Sequence, residues 1–250
     1  MNNIYISAAQ KSSGKTILSI GLAKIFAEKK IPIRTFKKGP DFIDPSWLKF
    51  ASSKNSYNLD FNTQSKLEIK NFYNQKKLKF NIIEGNKGLY DGVDIRGSDS
   101  NAEMAKLLDA PVILILNCEG ITRGIAPLIQ GYINFDKKCN ISGVILNNIA
   151  SSRHESKLIK SINHYTNLDT LGSIRKTKDL ISERHLGLIP SFENKTSEDI
   201  VQKISHLISE SVDTKKILKK FSTPEKEPSI KLSKKNKKEK VFLKNTERKL

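Results

Sequence analysis

The chain is poor in cysteine: its 250 residues hold two, Cys118 and Cys139. They stand in no metal-ligand spacing, so neither a disulfide scaffold nor a cysteine-built zinc site is expected. Reduced thiols of this kind suit a cytoplasmic protein. No apolar run approaches the roughly 18 residues that a membrane-spanning helix needs. The first apolar stretch, residues 4–9, is too short for a secretory signal and leads into a polar loop. No internal repeat is evident. No Ser-His-Asp or Cys-His set is recognisable either, and His154 and His185, each beside an arginine, read as structural or surface groups. Acidic residues are scarce, with 26 Asp and Glu against 44 Lys and Arg, for a net charge of +18.

The location of that charge decides its meaning. Residues 215–250 carry fourteen Lys or Arg and four Asp or Glu, a net +10, so the first 214 residues carry +8. The stretch "KLSKKNKKEKVFLKN" is too polar to build a core and reads as a solvated, disordered tail. The competing reading is a contact with nucleic acid, anionic lipid or a partner. Aromatic residues able to stack on bases are limited there to Phe221 and Phe242, which weighs against nucleic acid. The expected organisation is a folded domain over 1–214 followed by a basic tail over 215–250.

What the chain does have is alternation. "NIYISAA", "IPIRTF", "FNIIEG", "APVILILN", "ISGVILNNI" and "TLGSI" read as six strands. Helical periodicity appears over 16–30, 123–134 and 197–212, and after "SSRHES", where Ser152 is a candidate N-cap. Strands alternating with helices predict an α/β three-layer sandwich with a mostly parallel sheet. Residues 37–75 are the least regular, and loops of that length in α/β proteins often carry function.

The first candidate site is "SAAQKSSGKT", which ends like a phosphate-binding P-loop between a strand and a helix. Backbone N–H groups at Ser12, Ser13 and Gly14, with the helix N-terminus, can hold phosphate oxygens. Lys15 is placed to reach the β and γ phosphates of ATP, and Thr16 to bind Mg²⁺. The pattern G-x-x-x-x-G-K-[ST] asks for glycine at position 9, where this chain has Ala9; a small residue serves there if its φ stays negative. Next, "FKKGPDFIDP" sets Asp41 and Asp44 three residues apart beside Lys37 and Lys38. Carboxylates near a P-loop suit a hard cation; the plainer reading is a charged loop with turn prolines. Glu84 ends an apolar strand, and Asp91 follows a glycine-bounded turn. Asn147 ends a later strand, where its amide can read an adenine edge or simply form a turn.

Together these stretches resemble the N-terminal synthetase domain of cobyrinate a,c-diamide synthases. The resemblance rests on "SSGKT", "FKKGPDFIDPSWL", "YNLDF", "EGNKGLYDG", "GSDSNAEMAKLLDAPVILIL", "GVILNN" and "ERHLGLIP", in that order, and covers about residues 1–192. It implies a P-loop NTPase-like fold shared with dethiobiotin synthetase. It also implies ATP- and Mg²⁺-dependent amidation of acetate side chains on a tetrapyrrole through an acyl phosphate. In that scheme Lys15 and Thr16 hold phosphates and metal, and Asp41 and Glu84 are metal-site carboxylates. Asp44 lies near the reacting phosphate, Asp91 near the substrate carboxylate and Asn147 near adenine. Lys37 and Lys38 suit a polyanionic substrate.

Family members usually continue into a glutamine amidotransferase domain with a cysteine nucleophile. Neither cysteine here matches it, so the expected ammonia source is a separate amidotransferase subunit or solution. A homodimer is a further expectation. The form "EGNKGLYDG" is also similar to relatives that amidate sirohaem. A dethiobiotin-synthetase-like carboxylation fits the acidic motifs less well. A chromosome-partition-type ATPase would carry K-G-G-x-G-K-T, whereas here Gln10 stands five residues before Lys15, followed by Lys11 and Ser12.

Overall fold

The computed structural model describes residues 2–176, 191 and 196–222. Seven strands lie in one sheet: β1 (Asn3–Ala8), β2 (Ile33–Lys38), β3 (Ser56–Leu59), β4 (Phe80–Glu84), β5 (Val112–Asn117), β6 (Ile141–Ile149) and β7 (Asp169–Arg175). Their order is β3-β2-β4-β1-β5-β6-β7, and every neighbouring pair is parallel. The helices are α1 (Lys15–Glu28), α2 (Ile43–Ser52), α3 (Lys66–Lys76), α4 (Asn101–Leu107), α5 (Ile125–Phe135), α6 (Ser152–Tyr165), α7 (Ser197–Ser211) and α8 (Thr214–Phe221). None among the described residues is long and apolar enough to cross a membrane.

Parallel strands covered on both faces need apolar side chains on both faces. β1 meets this with six buried residues between β4 and β5. Its alternation sends Ile4, Ile6 and Ala8 into one core and Tyr5 into the other. The first core is closed by α1, α2, α7 and α8, the second by α3, α4, α5 and α6. This is a three-layer α/β sandwich of the P-loop NTPase type. Helix α7 lies close on α1 because Gly21 has no side chain. A Cβ there would stand 2.4 Å from Ile208 Cγ1.

Residues 37–75, expected to be irregular, hold α2, β3 and α3. Pro45 in "IDP" reads as a turn in sequence, yet it sits in the first turn of α2, where no N–H is required. Strand β3 has only four residues at the sheet edge. Helix α3 buries only Ile69 and Tyr73, so its apolar period is faint. Its capping box, Ser65 with Glu68, is the signal that marks it. Ser151, one residue before the expected Ser152, caps α6 by accepting from the His154 N–H.

The expected boundary at 214/215 falls inside α8. Ile217 and Phe221 of that helix are buried in the first core, and Asp213 caps it. Each such burial contributes about 1.5–3 kcal/mol, so the folded unit runs past the expected limit. His185, the "ERHLGLIP" stretch and the tail from 223 onward lie outside the described residues.

Candidate active site

Strand β1 is the central strand, with the chain continuing to β2 on one side of it and to β5 on the other. Ligands of open α/β sheets sit where that reversal occurs, beyond the C-terminal strand ends. The loop leaving β1 there is "AAQKSSGKT". Gly14, at φ 98°, caps α1 without any side-chain hydrogen bond. Ser12 also has a positive φ, 56°. Ala9 does not, and its N–H donates to Ile115 O at 3.1 Å. Glycine is therefore not required at position 9.

The loop is braced from several sides. Ser13 Oγ donates to Gln10 O at 2.8 Å. The Tyr132 hydroxyl on α5 donates to Ala9 O, and Leu89 N–H donates to Ala8 O at 2.8 Å. Asn147 Nδ2 donates to Ser13 O at 2.8 Å, while its Oδ1 accepts from Asn148 N–H at 2.9 Å. The Asn147 amide, expected to face adenine, thus spends one donor and one acceptor holding the P-loop. Its contact is so close that a Cβ on Gly14 would lie 2.6 Å from Asn147 Nδ2.

Behind the loop, four side chains meet on the α1–α2 side of the sheet. Thr16 Oγ1 donates to Glu84 Oε1 at 2.7 Å and lies 3.4 Å from Asp44 Oδ2. Lys37 Nζ donates to Asp44 Oδ2 at 2.5 Å and to Glu84 Oε1 at 2.8 Å. Lys15 is buried beside them in sequence. Glu84 is fully buried, and its carboxyl is pushed up to about 7. Burial is the main cause and Asp44 adds to it, while Lys37 and Thr16 oppose it. Burial alone would lower the Lys37 ammonium, but Glu84 and Asp44 outweigh it and hold the group above its ordinary range. Lys37 is therefore not the substrate-facing cation expected from sequence. It is an internal counter-ion.

Asp41 lies one turn away. Its Oδ1 accepts from the N–H groups of Ile43 and Asp44, at 2.9 and 3.2 Å, and so starts α2. Burial, then Asp44, raises its carboxyl above the usual range. Asp91 is exposed and accepts from Gly88 N–H at 3.0 Å. It also stands near Tyr132, whose phenol is raised by burial and then by Asp91.

Of the expected metal set, Thr16 and Glu84 are hydrogen-bonded to each other, while Asp41 Oδ1 is engaged by the first N–H groups of α2. Among the described residues no three Asp, Glu, His or Cys side chains gather as a metal site. Two carboxylates and a hydroxyl nonetheless suit a hard cation completed by phosphate oxygens. Glu84 Oε2 is buried without a hydrogen-bond partner, as a ligand awaiting a cation would be.

Two supporting residues escaped the sequence reading. Asn58 Nδ2 donates to Gly39 O and Asp41 O, at 2.7 and 2.5 Å, and so holds the "GPD" turn. Asn101, fully buried, donates to Asn86 O and Gly88 O and accepts from the Tyr5 hydroxyl, fixing "EGNKG" against the sheet. A lone asparagine in a polar stretch gives no signal of such a role. His154, as expected, is structural: Nδ1 accepts from Ala150 N–H, and Nε2 lies 2.6 Å from Ile121 O.

An AAA-domain family model matches residues 33–184. The cobyrinate a,c-diamide synthase of Magnetococcus marinus is 37% identical over 218 residues, covering 86% of this chain and 47% of that protein. The cobyrinate a,c-diamide synthase of Dehalococcoides mccartyi is 38% identical over 219 residues, again 86% of this chain and 47% of the relative. The chain spans about half the length of these relatives. Among solved structures, the MinD cell division protein of Aquifex aeolicus aligns with a TM-score of 0.51 and 14% identity, covering 85% of this chain and 99% of that one. That likeness is one of fold alone.

Proposed function

The chain belongs to the AAA-domain family, and on that premise we propose that it is the ATP-using amide synthetase portion of a cobyrinate a,c-diamide synthase. The observation that carries this reading is the P-loop hydroxyl of Thr16 set against Glu84 and Asp44, with Lys37 between the two carboxylates. A P-loop joined to a "GPDFIDP" segment in this way fits transfer of a phosphoryl group to an acidic acceptor.

In the proposed reaction an acetate oxygen of the tetrapyrrole attacks the γ phosphorus of ATP. The bond between that phosphorus and the β–γ bridging oxygen breaks, and ADP departs. Ammonia then attacks the acyl carbon, phosphate leaves, and the nitrogen loses a proton to give the amide. Lys15 and the N–H groups of Ser12, Ser13 and Gly14 bind and orient the phosphates. Thr16, Glu84 and Asp44, with Asp41 at the rim, would hold Mg²⁺. Bound there, the ion would supply charge neutralisation for the phosphates. Asp44 stands nearest the transferred phosphate. Asp91 orients the acceptor carboxylate from the far side of the P-loop. Asn147 keeps the loop closed and has one amide hydrogen left for adenine.

Neither Cys118 nor Cys139 releases ammonia from glutamine in our reading. Both thiols are buried; burial chiefly pushes Cys118 up to about 12 and Cys139 up to about 11, so neither is a thiolate at neutral pH. The deciding assay offers cobyrinate and sirohaem in parallel with ATP, Mg²⁺ and ammonium, and counts amides by mass spectrometry. Conversion of cobyrinate with ammonium but not with glutamine is expected. Conversion of sirohaem alone would move the substrate to that tetrapyrrole. Conversion of neither, by a folded chain that binds ATP, would overturn the proposal.

A further inference from the structure

We infer that Lys38 is the anchor for a side-chain carboxylate of the acceptor substrate. The inference deepens the amide-synthetase reading and rests on it.

Strand β2 ends in two lysines whose side chains alternate across the sheet. Lys37 goes to the α1–α2 side. Lys38 goes to the other, toward the loops that follow β3 and β4. It is only 7% exposed. Its Nζ lies 3.4 Å from Asn86 Oδ1 and 6.0 Å from the centre of the Phe61 ring. Among the described residues no carboxylate stands within ion-pair distance of it.

The nearest acids are already engaged. Asp60 accepts from Asn62 N–H, from Asn62 Nδ2 and from Thr63 Oγ1. Asp99 accepts from Val93 N–H at 2.8 Å and from Asp94 N–H at 3.1 Å. Lys87 adds a like charge. Burial is the dominant influence on Lys38 and pulls its ammonium below the ordinary range despite Asp99 and Asp60. A buried cation with one long hydrogen bond to an amide is poorly compensated. An anion brought to it restores that compensation.

Two anions reach this end of the sheet in the proposed reaction, nucleotide phosphate and substrate carboxylate. Thr16 of the phosphate-binding loop meets Asp44 and Glu84 on the α1–α2 side. Lys38 faces the opposite side, so its anion is the carboxylate. Asp99 also pins the loop from which Val93 and Ile95 project, 85% and 101% exposed. A macrocycle with apolar faces and acidic arms matches a buried ammonium and a loop that exposes two aliphatic side chains.

The test compares Lys38→Met and Lys38→Arg with the wild-type chain, following cobyrinate by absorbance and a non-hydrolysable ATP analogue by calorimetry. Lys38→Met is expected to raise the Kd for cobyrinate at least tenfold and leave that for the nucleotide within about twofold. Lys38→Arg should recover most of the loss. An unchanged cobyrinate Kd in the Met variant overturns the inference. A parallel loss of nucleotide affinity also overturns it, because Lys38 would then serve phosphate. Failure of the wild type to bind any tetrapyrrole overturns the underlying reading instead. If the Met variant does not fold, the wild-type chain with ¹³C-methylated lysines serves. Its Lys38 signal, assigned from the Arg variant, should move on adding cobyrinate and stay on adding the fully esterified compound. Movement with both, or with neither, overturns the inference.

Discussion

On the α1–α2 side of the sheet Lys37 lies between Asp44 and Glu84; on the opposite side its neighbour Lys38 has one amide and one ring. The two residues share a strand, a charge and nearly complete burial. They differ in what surrounds the ammonium. The first is an element of an assembled polar group whose removal strands buried charge. The second is a charge held ready for something outside the chain. The difference separates residues that keep the site in shape from residues that meet ligands, a distinction residue type alone does not make.

The largest effect is expected at the loop the two sides share. Lys15→Ala should lower turnover by on the order of 10³-fold or more, because a cation aimed at moving phosphate charge is lost. Steady-state kinetics with ammonium checks this, and unchanged turnover would remove the nucleotide from the P-loop. The comparison itself is broken most directly by Lys37→Met. It leaves Asp44 and Glu84 buried without their counter-ion and should cost about 3–5 kcal/mol in urea unfolding. Lys38→Met, which strands no carboxylate, should cost far less. Equal losses for the two variants would erase the distinction.

A smaller effect concerns pH. The Glu84 carboxyl stands near 7 in the folded chain against an ordinary 4.5, so folding favours its protonated form. Its contribution to stability is full below about 4.5 and is lost as pH rises through about 7. The stability of the wild type relative to Glu84→Gln should fall over that window, as measured by unfolding at a series of pH values. A rise across the window would mean that Lys37 dominates. Smallest is Ala9→Gly. Its φ is not positive, so glycine brings no relief and costs at most about 1 kcal/mol through unfolded-state freedom. Thermal melting and unchanged turnover would show that the departure from the P-loop pattern is neutral.

Much of this was legible in one sequence. β1, β4, β5 and β6 are near-continuous apolar runs because parallel strands are covered on both faces, and such runs survive any detail of packing. Gly14, Lys15 and Thr16 follow a strand and open a helix, so their placement came with the motif. Asp44 and Glu84 do stand beside Thr16. Other features were hidden. Asp41 looked equivalent to Asp44 by spacing, but its Oδ1 starts α2. Asn147 looked free to read a base, yet part of its amide is tied to Ser13 across the loop. Helix α8 looked like the start of a polar tail because its anchors in the core, Ile217 and Phe221 with Leu218 packed beside them, stand among lysines.

The sequence by itself determined the class of fold, the nucleotide loop and the presence of carboxylates near it. Each of these follows from short-range pattern: apolar runs, the strand–loop–helix setting and residue chemistry. Tertiary structure alone decided which charges are paired. A lysine's partner is set by residues brought from Asp44, Glu84 or Asn86 through parallel strand pairing, and Coulomb energy depends on distance and burial, which sequence order does not encode. Lys37 and Lys38 read alike in the chain and became a counter-ion and a waiting cation only when β2 was laid between β3 and β4.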